Sequence, residues 1–403
     1  MMELIAQYPF ACMSAALTWA MAALLVLSGE GSTLRKCVAP PSLHGHERLP
    51  GIIGLKGAAV LLFVAGHLWH LKYWATYPVQ LHFPFLAYAI KAIPILAAVS
   101  AFLIYRSLLA VSDTGGLRDF LVRKIFRFYP LYVFSVLAFV AFGRMETHDT
   151  GYNTVSLFIS ELFLFRVFGG PELYANPVLW SIHMGVLLCI LLPFYLAIVP
   201  KRFALPLSIV LLLFMLAADQ HYSRGFSLWL YFMVGIIAAG FGERSRIGPV
   251  WAMALFLAGS MILVIDLQGP STDVFSMLGI VEPSPSHFTV GLAVAMLLIM
   301  IGIDQRAKLA HWLDWQPLRH MGTISYALFL LHPLYAVIVF PDIFLPNVEN
   351  PKDTSLVIMP TWFFVTIYLA GSIFWATLAY VLVEKPIINN GRNLLRKVKG
   401  TAE

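Results

Sequence analysis

Gly51-Ile-Ile-Gly54-Leu-Lys56-Gly57-Ala-Ala-Val-Leu-Leu-Phe-Val-Ala-Gly-His67-Leu-Trp-His70-Leu71 is an apolar run without an acidic residue, and what it can be limits what the rest of the chain can be. Its length matches the ~20 residues that a helix needs to cross a bilayer. Lys56 and His67 are eleven positions apart, about 1100° of helix, so they share one face to within about 20° and lie about 16 Å apart along the axis. Ionisable groups at that depth are costly in lipid and sit in protected cavities or pair there. Taken singly, Lys56 is a lysine that snorkels to the surface and His67 a histidine held by an interhelical hydrogen bond. Sharing a face, they read better as an anchor for an anionic ligand and a base able to take a proton from a hydroxyl. His70, three positions further, lies near the same face as an alternate base or a substrate contact.

The rest of the chain agrees with a membrane helix. Of 403 residues, 60% are hydrophobic and 12% charged, and the mean hydropathy is +0.80, which excludes soluble globular classes. Apolar stretches recur at about 6–28, 51–71, 84–105, 128–143, 177–199, 203–218, 226–241, 249–266, 287–303, 322–341 and 360–383. They lack the period-two alternation of a membrane barrel. The first contains Glu3 and no basic residue before Phe10, so it is expected to be a retained helix and not a cleaved signal. Cys12, Cys37 and Cys189 have no metal-ligand spacing and are expected to be free thiols; no metal site is expected. The formal charge of +6 reflects membrane topology here and does not imply nucleic acid.

That charge fixes an orientation. If about 153–168 crossed the membrane, Lys201, Arg202, Arg244, Arg246, Arg306, Lys308, Arg319 and the basic tail would face outward, against the positive-inside pattern. If the segment is re-entrant or interfacial, 20 of the 27 basic residues gather on the cytoplasmic side. The segment is short and carries Glu161, which favours the second arrangement. The expected fold is therefore an all-α polytopic bundle of about eleven transmembrane helices, with the N-terminus outside and the C-terminus cytoplasmic. No soluble domain is expected, since the polar stretches 28–50, 106–127 and 267–286 are far below domain length.

Further groups carry chemistry. Arg123, Lys124 and Arg127 converge near the cytoplasmic start of a helix, three and four positions apart. They suit a phosphate-rich ligand as well as an ordinary positive-inside anchor. Ser100-Ala101-Phe102, Trp180-Ser181, Ser325-Tyr326, His332-Pro333 and Glu384-Lys385-Pro386 are weak marks individually, each explicable by helix packing. Lys91, seven residues past Pro84, either contacts an anionic sugar or snorkels outward.

In order, these marks resemble the acyltransferase-3 family of integral membrane acyltransferases over about residues 50–390. The family's Arg-then-His motif falls on Lys56 and His67, its Ser-Gly-Phe on Ser100-Ala101-Phe102, and its Arg-x-x-Arg-x-x-Pro on Lys124, Arg127 and Pro130. The late Ser-Tyr, His-Pro and Glu-Lys-Pro marks match as they stand. A Glu common after the Trp-Ser start is Gly185 here, with His183 and Glu161 the nearest substitutes in sequence.

The resemblance implies a ten-helix core at 50–390, an extra N-terminal helix and loop at 1–49, and a basic cytoplasmic tail at 391–403. It implies an O-acyltransferase of the bacterial inner membrane that uses acyl-CoA, most simply acetyl-CoA, as co-substrate. The acceptor would be an extracytoplasmic carbohydrate such as an exopolysaccharide, O-antigen or lipid-linked glycan. Membrane lipids and proteins of a polysaccharide assembly pathway would be its partners. Lys56, Arg123, Lys124 and Arg127 would bind the donor, and His67 would be the base. Ser100, Ser181 or Tyr326 would stabilise the oxyanion, and His70, Lys91, Trp180 and His332 would contact substrate. A permease for a phosphorylated or lipid-linked sugar is the alternative, and Gly185 leaves open a catalytically impaired relative.

Overall fold

The computed structural model describes residues 50–74, 92–112, 116–141, 158–159, 161–163, 178–199, 201–218, 224–267, 285–339 and 361–400, with Met13, Ala16 and Ala20 of the first stretch. Among them all regular structure is helical: α1 (Pro50–Trp74), α2 (Ala92–Ser112), α3 (Gly116–Ala141), α4 (Leu179–Ile198), α5 (Lys201–Ala218), α6 (Arg224–Arg244), α7 (Pro249–Leu267), α8 (Pro285–Asp304), α9 (Gln316–Val339), α10 (Thr361–Ala379) and α11 (Lys385–Gly400). A 3-10 segment, Lys308–Asp314, precedes α9, and a π turn, Tyr380–Glu384, joins α10 to α11. Ala92–Leu109, Gly116–Ala141, Leu179–Ile198 and Val365–Lys397 are long and apolar enough to cross a membrane, and Gly51–His67, Arg202–Met215, Pro249–Val264 and Gly291–Asp304 are apolar but shorter. The chain is thus a helical membrane protein; the stretch at 6–28 lies almost wholly outside the described residues.

Local chemistry explains where these helices start. α1, α7 and α8 open on proline, whose missing N–H costs nothing at the first helical position. α3 opens on Gly116 at φ +72°, a left-handed conformation that glycine adopts without strain. It therefore begins twelve residues before the apolar run at 128, and Arg123, Lys124 and Arg127 ride on the helix itself, with Pro130 inside it. The 390/391 boundary expected for the tail falls within α11, where Gly391 lets the chain settle on the Phe126 ring of α3.

Contacts between helix ends fix relative directions. At one end of the bundle Arg106 Nη2 donates to Asp304 Oδ1 and Oδ2 at 3.0 and 2.8 Å, joining the C-terminal part of α2 to the last residue of α8. Gln305 Nε2 donates to the Ser245 carbonyl, and Arg244 to that of Arg202. The C-terminal ends of α2, α6 and α8 and the start of α5 are therefore gathered together. α4 ends at that same end, since Tyr195 donates to the Ala204 carbonyl of α5.

Residues 161–163 dock on the middle of α3, where Tyr129 donates to the Leu162 carbonyl at 2.9 Å and Tyr132 to the Glu161 carbonyl at 2.7 Å. A short turn leaves carbonyls open at its end, and buried backbone oxygens need such partners.

A tight seam joins α1 to α9 and to the 3-10 segment that precedes it. A Cβ at Gly54 would collide with the Leu313 carbonyl, one at Gly57 with the Leu318 carbonyl, and one at Gly322 with the Ile53 carbonyl. Close backbone approach through small residues is how helices adhere where lipid removes the hydrophobic drive. Farther along the same pair, Phe63 stacks on Phe329 with ring centroids 4.7 Å apart.

Candidate active site

A cavity of about 170 Å³ lies within the bundle, walled by α1, α2, α3, α4, α6 and α9. Lys56 reaches it from α1, and Lys124 and Arg127 from α3. Lys56 lies near the start of α1, and Lys124 and Arg127 lie in the first half of α3, so the cavity has one basic end. None forms a salt bridge among the described residues, and Arg127 Nε is buried without a hydrogen-bond partner. Aromatic faces hold part of the charge: Lys124 Nζ is 5.1 Å from the Phe120 ring centroid, and Arg127 lies 5.7 Å from that of Phe128. Glu384, set inward by the π turn and buried, is within electrostatic reach of Lys56 and Arg127, while neither of its oxygens has a hydrogen-bond partner.

Beyond the cations the wall is mainly apolar, from Leu96, Leu103, Ile104, Ile182, Val186 and Phe232. Polar groups punctuate it. Ser100, Ser181, Ser325 and Tyr326 all line it, as does the free thiol of Cys189. The Ser181 hydroxyl donates to the Val178 carbonyl at 2.9 Å and that of Tyr326 to the Phe128 carbonyl at 2.8 Å, so both protons already serve the backbone. Ser100 has no hydrogen bond, which leaves it the better donor of the three expected from sequence. Gly185 faces open space: a Cβ there would meet nothing within 4 Å.

Phe329 closes the far end, and His67 lies in the next layer. His67 Nδ1 is 3.0 Å from His332 Nε2, and His332 Nδ1 is 3.0 Å from the Leu328 carbonyl. Phe63 packs against both imidazoles, with centroids 5.2 and 5.4 Å away. A carbonyl only accepts, so His332 Nδ1 is the donor in its bond. Full burial without an ion pair keeps that ring neutral, and its Nε2 therefore accepts. His67 Nδ1 must then donate, which puts the lone pair of His67 on Nε2.

Of the residues expected from sequence, the cavity gathers Lys56, Lys124, Arg127, Ser100, Ser181 and Tyr326, and the layer above it joins His67 to His332. Arg123 is instead exposed on the outer face of α3, and Trp180 is half-buried against the core. His70 lies on α1 with its side chain outside what is described, and Lys91 lies outside the described residues. Glu161 and His183 do not occupy the space at Gly185. They meet around Tyr132, whose hydroxyl is 3.2 Å from Glu161 Oε2 and 3.1 Å from His183 Nε2, all three buried. That cluster pins the 158–163 segment to α3 and α4. Sequence reasoning passed over the partnership of His332 with His67, the pair Arg106 and Asp304, and the cavity-facing hydroxyl of Ser325. Each joins residues remote in sequence or depends on a side-chain rotamer, and no local pattern announces it.

A family model for an acyltransferase domain matches residues 49–381. The chain is also 25% identical, over 388 residues, to the Bacillus subtilis (strain 168) protein named "Putative peptidoglycan O-acetyltransferase YrhL", covering 88% of this chain and 57% of that relative. It therefore spans little more than half the length of the curated relative it matches. No solved structure matches. The family match runs from the start of α1 into the π turn and takes in the whole cavity wall and both paired histidines; the chain belongs to the acyltransferase-3 family.

Proposed function

We propose that this chain is a membrane O-acyltransferase that moves an acyl group, acetyl in the simplest case, from cytoplasmic acyl-CoA to a hydroxyl of an extracytoplasmic carbohydrate. The supporting observation is a cavity with three cations at one end, none in a salt bridge among the described residues, and the His67–His332 pair just beyond the other. The diphosphate of the donor is held by Lys56, Lys124 and Arg127, with Arg127 able to bind in two-pronged fashion. The aliphatic arm occupies the apolar length of the cavity. About 16 Å of helix rise separates Lys56 from His67, which suits the reach of a pantetheine arm and brings the thioester to the Phe329 layer.

The acceptor hydroxyl approaches from the opposite end. His67 Nε2 takes its proton, and the oxygen attacks the thioester carbonyl. The tetrahedral intermediate expels the thiolate of CoA, which receives the proton from His67, so one ester forms as one thioester breaks. His332 does not touch substrate in this scheme; it holds the tautomer of His67 in which Nε2 is basic. Ser100 is the hydroxyl best placed to steady the oxyanion. An acceptor of peptidoglycan type is suggested by the name of the Bacillus relative, and the wider class is surface or lipid-linked glycan. Orientation follows the basic end: the cavity mouth at Lys56, Lys124 and Arg127 faces the cytoplasm, with protein partners of glycan assembly on the opposite side.

Purified protein supplied with radiolabelled acetyl-CoA and glycan acceptors is expected to transfer label, and His67→Ala to abolish transfer without lowering the yield of folded protein. Full transfer by that variant would remove His67 as base. Passage of intact sugar across proteoliposomes without acyl transfer would replace the enzyme by a permease.

A further inference from the structure

Hydroxyls within apolar helices ordinarily turn back to the carbonyl four residues earlier, a partner that the helix supplies at no cost. Thr323 does so to Arg319, Ser208 to Ala204 and Thr377 to Ile373, each at 2.8 Å. Ser325, one turn from the start of the cavity's aromatic cap and on the same helix as Thr323, does not. It is 2% exposed, its Oγ has no hydrogen-bond partner, and it faces the cavity. A buried hydroxyl turned away from an available carbonyl is an unmet donor. Its surroundings are Phe329 one turn above, Ser100 on the facing α2 wall, and the cation end below.

Depth indicates what would meet it. Ser325 precedes Phe329, at the far end of the cavity, by four positions, about 6 Å of rise. A pantetheine arm is aliphatic except for two amides, and with its thioester at the Phe329 layer the inner amide, whose carbonyl is roughly four bonds or about 5 Å from the sulfur, lies at this level.

We propose that Ser325 is a positioning residue whose hydroxyl donates to the inner amide carbonyl of a pantetheine arm threaded through the cavity. This rests on the acyl-CoA reading above and names the contact that sets the arm's register. The hydroxyl contributes nothing to the empty protein and acts only once the arm is in place. That separates it from a structural serine.

The test uses the full chain in detergent or nanodiscs, with acetyl-CoA for turnover and CoA alone for binding. Ser325→Ala is expected to raise KM for acetyl-CoA about tenfold with kcat within about twofold, the loss of one hydrogen bond to a buried amide. It should also reduce the thermal stabilisation given by CoA, while leaving the melting temperature of the ligand-free protein unchanged or raised. Ser325→Thr, which keeps the hydroxyl, should restore KM. Unchanged KM and CoA stabilisation in Ser325→Ala overturn the assignment. So does a fall in ligand-free stability that accounts for the whole effect, or a loss of kcat alone. If the wild-type protein neither binds CoA nor transfers acetyl, the acyl-CoA reading itself falls and takes this contact with it. Wild-type turnover with an indifferent Ser325→Ala removes only Ser325.

Discussion

Replacing His332 by Phe isolates the pairing of the two imidazoles from their packing. The ring size is nearly conserved, so contacts with Phe63 and Phe329 survive, while the 3.0 Å bond from His67 Nδ1 is lost. A hydrogen bond of this kind contributes about 0.5–1.5 kcal/mol, so the tautomer with a basic Nε2 loses up to about tenfold in relative population. A catalytic histidine held in the wrong tautomer by its neighbour can lose about 10⁴ in kcat, which sets the upper bound. The expected result is a kcat 10- to 1000-fold lower, with KM for acetyl-CoA within about twofold because the cavity wall is untouched. Steady-state transfer of labelled acetyl to a soluble glycan fragment measures both, with thermal unfolding as a check on folding. A folded His332→Phe protein that keeps kcat within twofold would refute the tautomer argument, and a rise in KM alone would move His332 into substrate binding.

Three further outcomes follow from the geometry. Lys56→Met should raise KM for acyl-CoA by about 10- to 100-fold, the loss of one charge-assisted contact to phosphate, whereas Lys56→Arg should stay near wild type; equal effects of both in steady-state kinetics would rule out an anion anchor. Arg106→Ala strands Asp304, whose side chain is 3% exposed, and should destabilise the protein by about 3 kcal/mol, the lower part of the range for a broken buried pair because Arg106 itself is 29% exposed; an unchanged melting temperature counts against it. Gly57→Leu, aimed at the Leu318 carbonyl, should abolish folded protein in size-exclusion profiles, while Gly185→Leu, facing open space, should leave the profile unaltered.

Periodicity and charge made much of the site legible before any coordinates. The eleven-residue interval put Lys56 and His67 on one face of α1, and the fold places Lys56 on the cavity wall and His67 in the layer beyond its aromatic end. The i, i+3 spacing of Lys124 and Arg127 likewise brought both to that wall, whereas Arg123, one position earlier, is turned out to solvent by the helix rotation. Hydropathy misjudged the start of α3, because Gly116 nucleates a helix through a polar, basic stretch that hydropathy reads as loop. Pairings between helices stayed hidden: His67 and His332 are 265 positions apart, and Arg106 and Asp304 are 198 apart. The use of Glu161 and His183 around Tyr132 depends on a segment folding back onto α3, which neither residue's neighbours foretell.

The carbonyl-to-glycine seam between α1 and α9 has a bearing on which donors could ever be served. With backbones in contact at Gly57 and Gly322, the two helices cannot slide past each other without a steric clash. On the function proposed above, this locked pair holds the phosphate anchor near one end and the proton acceptor near the other. The span from anchor to acceptor is therefore a built-in calliper. A thioester carrier with a shorter or longer arm could not be accommodated by shifting the base, and would have to be met by new cations at a different height on α3. Changes in donor among relatives with this seam should accordingly leave α1 and α9 alone and appear as relocated basic residues on that neighbouring helix.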